Sequence, residues 1–138
     1  MKKYSSDQIL LCKDICIYLR TLKGADILHL YEIFEERAYG DSFKGTIIDV
    51  GASNADSSIY FAINGAERVI SLEHFPESYE LGKINVSINK LQNKIELLPF
   101  ALSERDDKIP IFIYLHHQAF YPLKEIEYLQ HIFWVHTL

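Results

Sequence analysis

Residues 47–58, IIDVGASNADSS, place an acid at the end of an apolar β-branched run, a glycine directly after it, and small polar residues ahead of a helical pattern. Thr46 to Val50 reads as a strand buried on both faces. Gly51 lets the backbone turn tightly with no Cβ in the way, and Asn54 to Ser58 leave helix N–H groups free to meet a ligand. In the IYFAINGA stretch that follows, Ile59, Ala62 and Ile63 share one helical face, and Gly65 is a natural stop.

The same rhythm continues downstream. Arg68 to Leu72 reads as a second strand leading to Glu73 and Pro76. Residues 77–91 read as a helix with Tyr79, Leu81, Ile84, Ile88 and Leu91 as its apolar positions, and Ile95 to Phe100 as a third strand. Strands alternating with helices across short turns imply βαβ crossovers and a parallel sheet, with ligands at the C-terminal strand ends. The expected fold class is therefore α/β: a Rossmann-like three-layer sandwich with a mostly parallel sheet, N-terminal helices and an incomplete C-terminal half.

Upstream, residues 5–22 and 26–39 both carry helical spacing, the first through Ile9, Cys12, Cys16 and Leu19, the second through Ile27, Leu30, Ile33 and Phe34, with Gly24 between them. Cys12 and Cys16 are the two cysteines of the chain, and their spacing puts both on one helical face. A metal or redox pair fits that spacing, but the apolar stripe around it favours buried core thiols. Beyond residue 100, SERDDK reads as a charged turn and IPIFIYL as an extended segment whose Pro110 suits an edge strand. Leu123 to His131 reads as a helix and IFWVHTL as a last strand. With no repeat or linker, the chain is read as a single domain over 1–138: a helical extension 1–44, a βαβαβ core 45–104 and a divergent segment 105–138.

Composition narrows the function classes. The 138 residues are 49% hydrophobic and 24% charged, as in an ordinary globular protein that folds without metal or crosslinks. A formal charge of −5 gives no general attraction for phosphate backbones or anionic lipid, so the expected partner is a small molecule or another protein, not nucleic acid. No apolar run reaches the length of a membrane span and the charged start lacks a signal-peptide core, so the expected location is cytoplasmic, without membrane association.

The turn carries the chemistry. Counted from Gly51, the dinucleotide fingerprint asks for further glycines where this chain has Ser53 and Asp56. An aspartate there would stand beside a pyrophosphate, so NAD and FAD are disfavoured. S-adenosylmethionine carries a sulfonium and an ammonium instead, which makes Asp49 and Asp56 assets. Glu73 ends the second strand 22 residues after Gly51, where a carboxylate can accept hydrogen bonds from both ribose hydroxyls. Each acid also has a plain reading: Asp49 as a polar strand terminator, Asp56 as a favourable first-turn charge, Glu73 as a solvated surface group. Their combination with the glycine turn favours the ligand reading.

His116 and His117 are candidates for a base, though adjacent strand residues face opposite ways and no more than one can reach a cleft. With His131 and His136 they invite a metal reading, but no carboxylate or cysteine accompanies them at ligand spacing, so surface histidines are favoured and no metal is expected. The aromatic tail, Tyr114, Phe120, Tyr121, Phe133 and Trp134, reads best as core packing. An exposed sheet edge would open a route to a homodimer.

The segment Gly45 to Glu104 resembles the FkbM family of S-adenosylmethionine-dependent methyltransferases. Three pieces carry the resemblance in the family's order and spacing: IIDVGASNADSSIYFAINGA, VISLEHFPESYELGKINVSIN and KIELLPFALSE. The resemblance implies that Asp49, Gly51 and Asp56 line the methionine end of the cofactor, that Glu73 holds the ribose, and that Ala101 and Leu102 flank adenine. His74 and Phe75 would pack near adenine. Ser53, in the cofactor turn, and Ala55 stand where the family often has asparagine and glycine. The family's downstream lysine, isoleucine, aspartate, glutamate and glycine segment has no counterpart, so the chain reads as truncated or remodelled at its C-terminus, and no catalytic base is assigned. The implied function is O-methylation of a small-molecule or saccharide hydroxyl. Its rival is a catalytically inactive binding or interaction module, with a dinucleotide oxidoreductase a distant third.

Overall fold

A computed structural model of the chain describes residues 8–21, 25–103, 107–114 and 128–136. The chain divides into two compact units, Met1–Pro99 and Phe100–Leu138.

The first unit is built on three parallel strands in the order β3 (Thr46–Val50), β4 (Arg68–Leu72), β5 (Ile95–Leu98). The connections are α2 (Asp56–Ile63) and α3 (Pro76–Ile88), so the βαβαβ rhythm of the sequence is the rhythm of the fold. In register, Ile47 lies beside Val69 and Val69 beside Ile95, forming one apolar row across the sheet. Ile59 and Ala62 of α2 and Val86 of α3 close over that row, and Ile59 and Val69 are completely buried. Each such aliphatic side chain contributes on the order of 2 kcal/mol by leaving water. The opposite face of β3 is different: Ile48 and Val50 are half exposed, against the two-sided burial that the strand pattern predicted.

Glycine fixes the exit from α2. Gly65 has φ +109°, and a Cβ built there would stand 2.6 Å from the Phe43 carbonyl oxygen. That stop agrees with the sequence, but Ile63, read as part of the buried face, is 46% exposed. The buried face of α3 is Ser78, Leu81, Gly82, Asn85 and Val86, rotated from the predicted apolar set, so that Ile88 is exposed. Polar side chains on that face have work to do elsewhere in the unit, which hydropathy alone does not register.

The largest correction is at the N-terminus. Of the residues read as a helix over 5–22, those from 8 to 20 form an antiparallel hairpin, β1 (Gln8–Cys12) and β2 (Cys16–Arg20), and residues 5–7 and 22 lie outside the described residues. The cysteines are joined as a disulfide, not kept as buried core thiols. A spacing of four suits one face of a helix, and equally suits two residues opposite each other across a three-residue loop, which is how Cys12 and Cys16 stand. The burial of Ile17 and Leu19 on either side of Tyr18 is the period-two signature of a strand. Side chains complete the outer edge of β2. Asn85 accepts from the Tyr18 N–H (2.8 Å), Asn89 from the Cys16 N–H (2.9 Å), and Asp26 from the Arg20 N–H (2.9 Å). Asn85 and Asn89 also donate to the Tyr18 and Cys16 carbonyls.

The second expected N-terminal helix exists but is shorter. It begins as α1 (Asp26–Leu30), widens into a π-helical turn over Tyr31–Glu35, and stops before Arg37, whose φ is +53°. The expected break at Gly24 lies outside the described residues. Ile33 is buried and Leu30 and Phe34 partly so, whereas Ile27 is 54% exposed.

The second unit is a three-stranded sheet in the order β6 (Ala101–Leu102), β8 (Tyr128–His136), β7 (Asp107–Tyr114). β7 runs antiparallel to β8, and Pro110 lies on β7, an edge strand of this sheet, as the sequence led one to expect. The helix read over Leu123 to His131 is corrected in part: residues 128–131 belong to β8, where pairing with β7 decides, and 123–127 lie outside the described residues. The expected last strand from residue 132 is seen as the continuation of β8. Among the described residues no helix is long and apolar enough to cross a membrane.

Candidate functional site

The turn between β3 and α2 is hooked over the end of β4: the Gly51 and Ala52 N–H groups both donate to the Leu72 carbonyl, at 2.8 and 3.0 Å. Gly51 has φ +81°, the conformation that made glycine the expected residue. Ser53 and Ala55 follow at φ +49° and +65°, left-handed values that cost a residue with a Cβ roughly 1 to 2 kcal/mol each. Tertiary contacts hold them there. The Ser53 N–H donates to Glu73 Oε2 (2.8 Å), and Asn85 Nδ2 donates to the Asn54 carbonyl (2.9 Å). Gly82 lets α3 approach: a Cβ there would be 3.3 Å from the Ser53 carbonyl oxygen and 3.4 Å from Ala55 Cβ.

Three carboxylates expected at this edge are brought together by the turn. Glu73 is buried, and its second oxygen accepts from the Phe75 N–H at 2.7 Å. Each carboxylate oxygen has two acceptor positions, so each keeps one after these backbone bonds. His74 Nδ1 stands 3.6 Å from Glu73 Oε1. Asp49 Oδ2 accepts from the hydroxyls of Ser57 (2.7 Å) and Ser58 (2.6 Å), and Ser71 donates to Ser58 behind it (2.8 Å). Asp56, at the start of α2, accepts from the Ser57 N–H through Oδ1 at 2.7 Å, while its buried Oδ2 meets no partner among the described residues. Burial pushes the Asp56 carboxyl up to about 6; the Ser57 N–H and the field of His29 oppose the rise, and Asp26 and Asp49 add to it.

Two features escaped the sequence reading. Asn54 is fully buried at the crown of the turn, with both side-chain polar atoms unpartnered among the described residues. Arg20 and Asp26 form a buried bidentate ion pair, 2.9 Å through Nε and 2.7 Å through Nη2, from which Arg20 reaches Ser78 (2.8 Å) and Ser53 (3.1 Å). Burial alone would lower the Arg20 pKa; Asp26 more than offsets it, with Glu77 and Glu73 adding, so the pKa lies above its ordinary value. An i,i+4 pair of asparagines in a helix was the available sequence signal for the Asn85 contact; nothing local marked Arg20.

Ala101 and Leu102 lie in β6 of the second unit, so the convergence at the turn is made by first-unit residues alone. His116 and His117 lie outside the described residues, and His131 and His136 are positions of β8.

Solved structures share the fold. TYW2 from Pyrococcus horikoshii, solved with MeSAdo, matches at TM-score 0.54 and 19% identity over 69% of this chain and 37% of its own. Trm5 from Methanocaldococcus jannaschii, solved with adenosine, matches at TM-score 0.51 and 16% identity over 73% of this chain and 35% of its own. A complex of aTrm5 with tRNALeu matches at TM-score 0.51 and 19% identity over 67% of this chain and 28% of that one. The likeness is one of fold: a Rossmann-like α/β fold. The chain spans 28% to 37% of the length of these solved chains. No protein-family model and no curated protein matches the sequence.

In this fold the carboxylates stand at the C-terminal strand edge, where open α/β sheets bind their ligands. An apolar groove of about 420 Å³ lies elsewhere, between the hairpin, α1 and the end of α2, with Ile17, Leu30, Phe34 and Ile63 among its walls. None of Asp49, Asp56 and Glu73 lines it.

Proposed function

We propose that the chain carries the cofactor-binding half of an S-adenosylmethionine-dependent methyltransferase related to the FkbM family. The observation that carries the reading is the gathering of Asp49, Asp56 and Glu73 around one left-handed turn at a helix N-terminus. A site of that charge repels a pyrophosphate and suits a ligand bearing an ammonium and a sulfonium. The unpartnered Asp56 Oδ2 is an acceptor suited to an ammonium, and the unpartnered Asn54 amide of the same turn offers a donor and an acceptor. Glu73, fixed by two backbone N–H groups, keeps one acceptor position on each oxygen for a pair of ribose hydroxyls.

In this reading Asp49, Gly51, Ser53 and Asp56 hold the methionine end, and Glu73 with His74 the ribose side. When bound, the cofactor supplies an electrophilic methyl group. The protein's own part is alignment: holding donor and acceptor at close range converts an encounter into an effectively intramolecular displacement. For the acceptor, the net charge and the FkbM resemblance favour a small-molecule or saccharide hydroxyl, in a cytoplasmic setting.

The test is calorimetric titration of the full chain with S-adenosylmethionine and S-adenosylhomocysteine, alongside Glu73→Gln and Glu73→Ala. Micromolar binding by the wild type and its loss in both variants is the expected result. No binding by well-folded wild-type protein refutes the reading. The second reading is a module that keeps the cofactor without transferring methyl. Binding without transfer to saccharide hydroxyls or to tRNA would select it, and transfer to tRNA would move the acceptor to the class named in the aTrm5 complex.

A further inference from the structure

We propose that Arg20, clamped by Asp26, is a positioning residue for the cofactor turn that acts through the Ser53 hydroxyl; the inference rests on the turn being a cofactor site. Asp26 grips Arg20 twice over, accepting from its backbone N–H at 2.9 Å and from its guanidinium at 2.9 and 2.7 Å. Arg20 is 9% exposed and Asp26 2%. A buried, bidentate, charge-assisted pair of this kind leaves the fork no freedom to swing.

Two of its remaining donors go to two other elements. Nη1 reaches Ser78 in the first turn of α3 (2.8 Å), and Nη2 reaches Ser53 Oγ in the turn after β3 (3.1 Å). One guanidinium thus joins β2, α3 and the turn.

Ser53 is where such a join matters. Its backbone stands at φ +49°, and in that conformation its N–H meets Glu73 Oε2 at 2.8 Å. Relaxing Ser53 to a right-handed φ would relieve strain but turn the N–H away from Glu73, freeing the glutamate to rotate. The bond from Arg20 opposes that relaxation through the side chain while Glu73 opposes it through the backbone. The N-terminal hairpin, outside the parallel sheet, therefore sets the geometry of the ribose acid.

Arg20→Gln alone leaves Asp26 buried and unpaired and is a poor reporter. The test uses Ser53→Ala, the neutralised double variant Arg20→Gln/Asp26→Asn, and their combination. S-adenosylhomocysteine affinity is measured by calorimetry, and backbone amide exchange is followed at residues 53–55. If Arg20 works through Ser53, each variant weakens binding roughly tenfold, the loss expected of one charge-assisted hydrogen bond, and the combination is no weaker than the worse of the two. Amides 53–55 should exchange at least about tenfold faster while those of β4 keep their protection. Unchanged binding and exchange in the double variant, or losses that multiply in the combination, would overturn the proposal. Should the wild type bind no cofactor, the functional reading fails separately, and exchange alone decides: faster exchange sustains the positioning role and unchanged exchange ends it.

Discussion

Asp56→Asn should make this protein more stable at neutral pH while weakening its site. The Asp56 carboxyl is raised from 3.8 to about 6 chiefly by burial, so the folded chain holds its proton more tightly than the unfolded chain does. The sign follows: between about pH 4 and 6 the folded state binds the extra proton, and stability falls as pH rises, by about 1.4 kcal/mol per pH unit. Two units give about 3 kcal/mol, fully present as a penalty above pH 6 and absent below pH 4. Asparagine carries no such charge and can still accept from the Ser57 N–H. Urea unfolding of wild type and variant at pH 4, 5, 6, 7 and 8 reads the difference directly, since other titrating groups are common to both chains. The variant should match the wild type near pH 4 and exceed it by 2 to 3 kcal/mol at pH 8. A gap that does not widen between pH 4 and 7, or a variant less stable at pH 8, would refute the reasoning. With S-adenosylhomocysteine, wild-type affinity should rise through pH 6 as the carboxylate forms, and the variant should lack that rise.

Gly82→Ala should leave stability nearly unchanged, because a helix propensity gain of about 1 kcal/mol offsets the crowding of the Leu97 side chain at 3.0 Å, yet weaken cofactor binding by pressing on the Ser53 carbonyl at 3.3 Å; calorimetry beside thermal melts separates the two effects. Gly65→Ala should cost about 2 kcal/mol or more in urea titration, since φ +109° and a 2.6 Å approach to the Phe43 carbonyl both oppose a Cβ. Replacing Cys12 and Cys16 by serine opens a small loop and should lower stability by about 2 kcal/mol on chain entropy, with a reductant producing the same shift in the wild type.

The central βαβαβ was legible because each element carried its own period and its own stop: β-branched runs for β3 and β4, and Gly65 behind α2. Glu73 was legible because a carboxylate at a strand end beside a glycine turn is a spacing, and spacings survive in a linear sequence. The hairpin was not, because CKDIC satisfies helix and hairpin alike until something decides what lies opposite what. What decides is a set of partners far along the chain: Asn85 and Asn89 are 67 and 73 residues from the backbone groups they hold. Arg20 was hidden for the same reason, since its partner at the turn lies 33 residues away. The face of α3 was misread because Ser78, Gly82 and Asn85 are buried for contacts, not for hydropathy.

The outer edge of β2 has a consequence for solubility. A hairpin strand ordinarily shows a row of unsatisfied N–H groups to any passing chain, and such rows template edge-to-edge aggregation. Here the N–H groups of Cys16, Tyr18 and Arg20 are each occupied by a side chain, and a helix imitates the neighbouring strand with two carboxamides one turn apart. Unlike a strand, that imitation cannot be extended: it ends with the asparagines, and no further chain can add to it. Losing Asn85 or Asn89 would thus return a template for strand addition to the surface, and such variants should form oligomers at concentrations where the wild type does not.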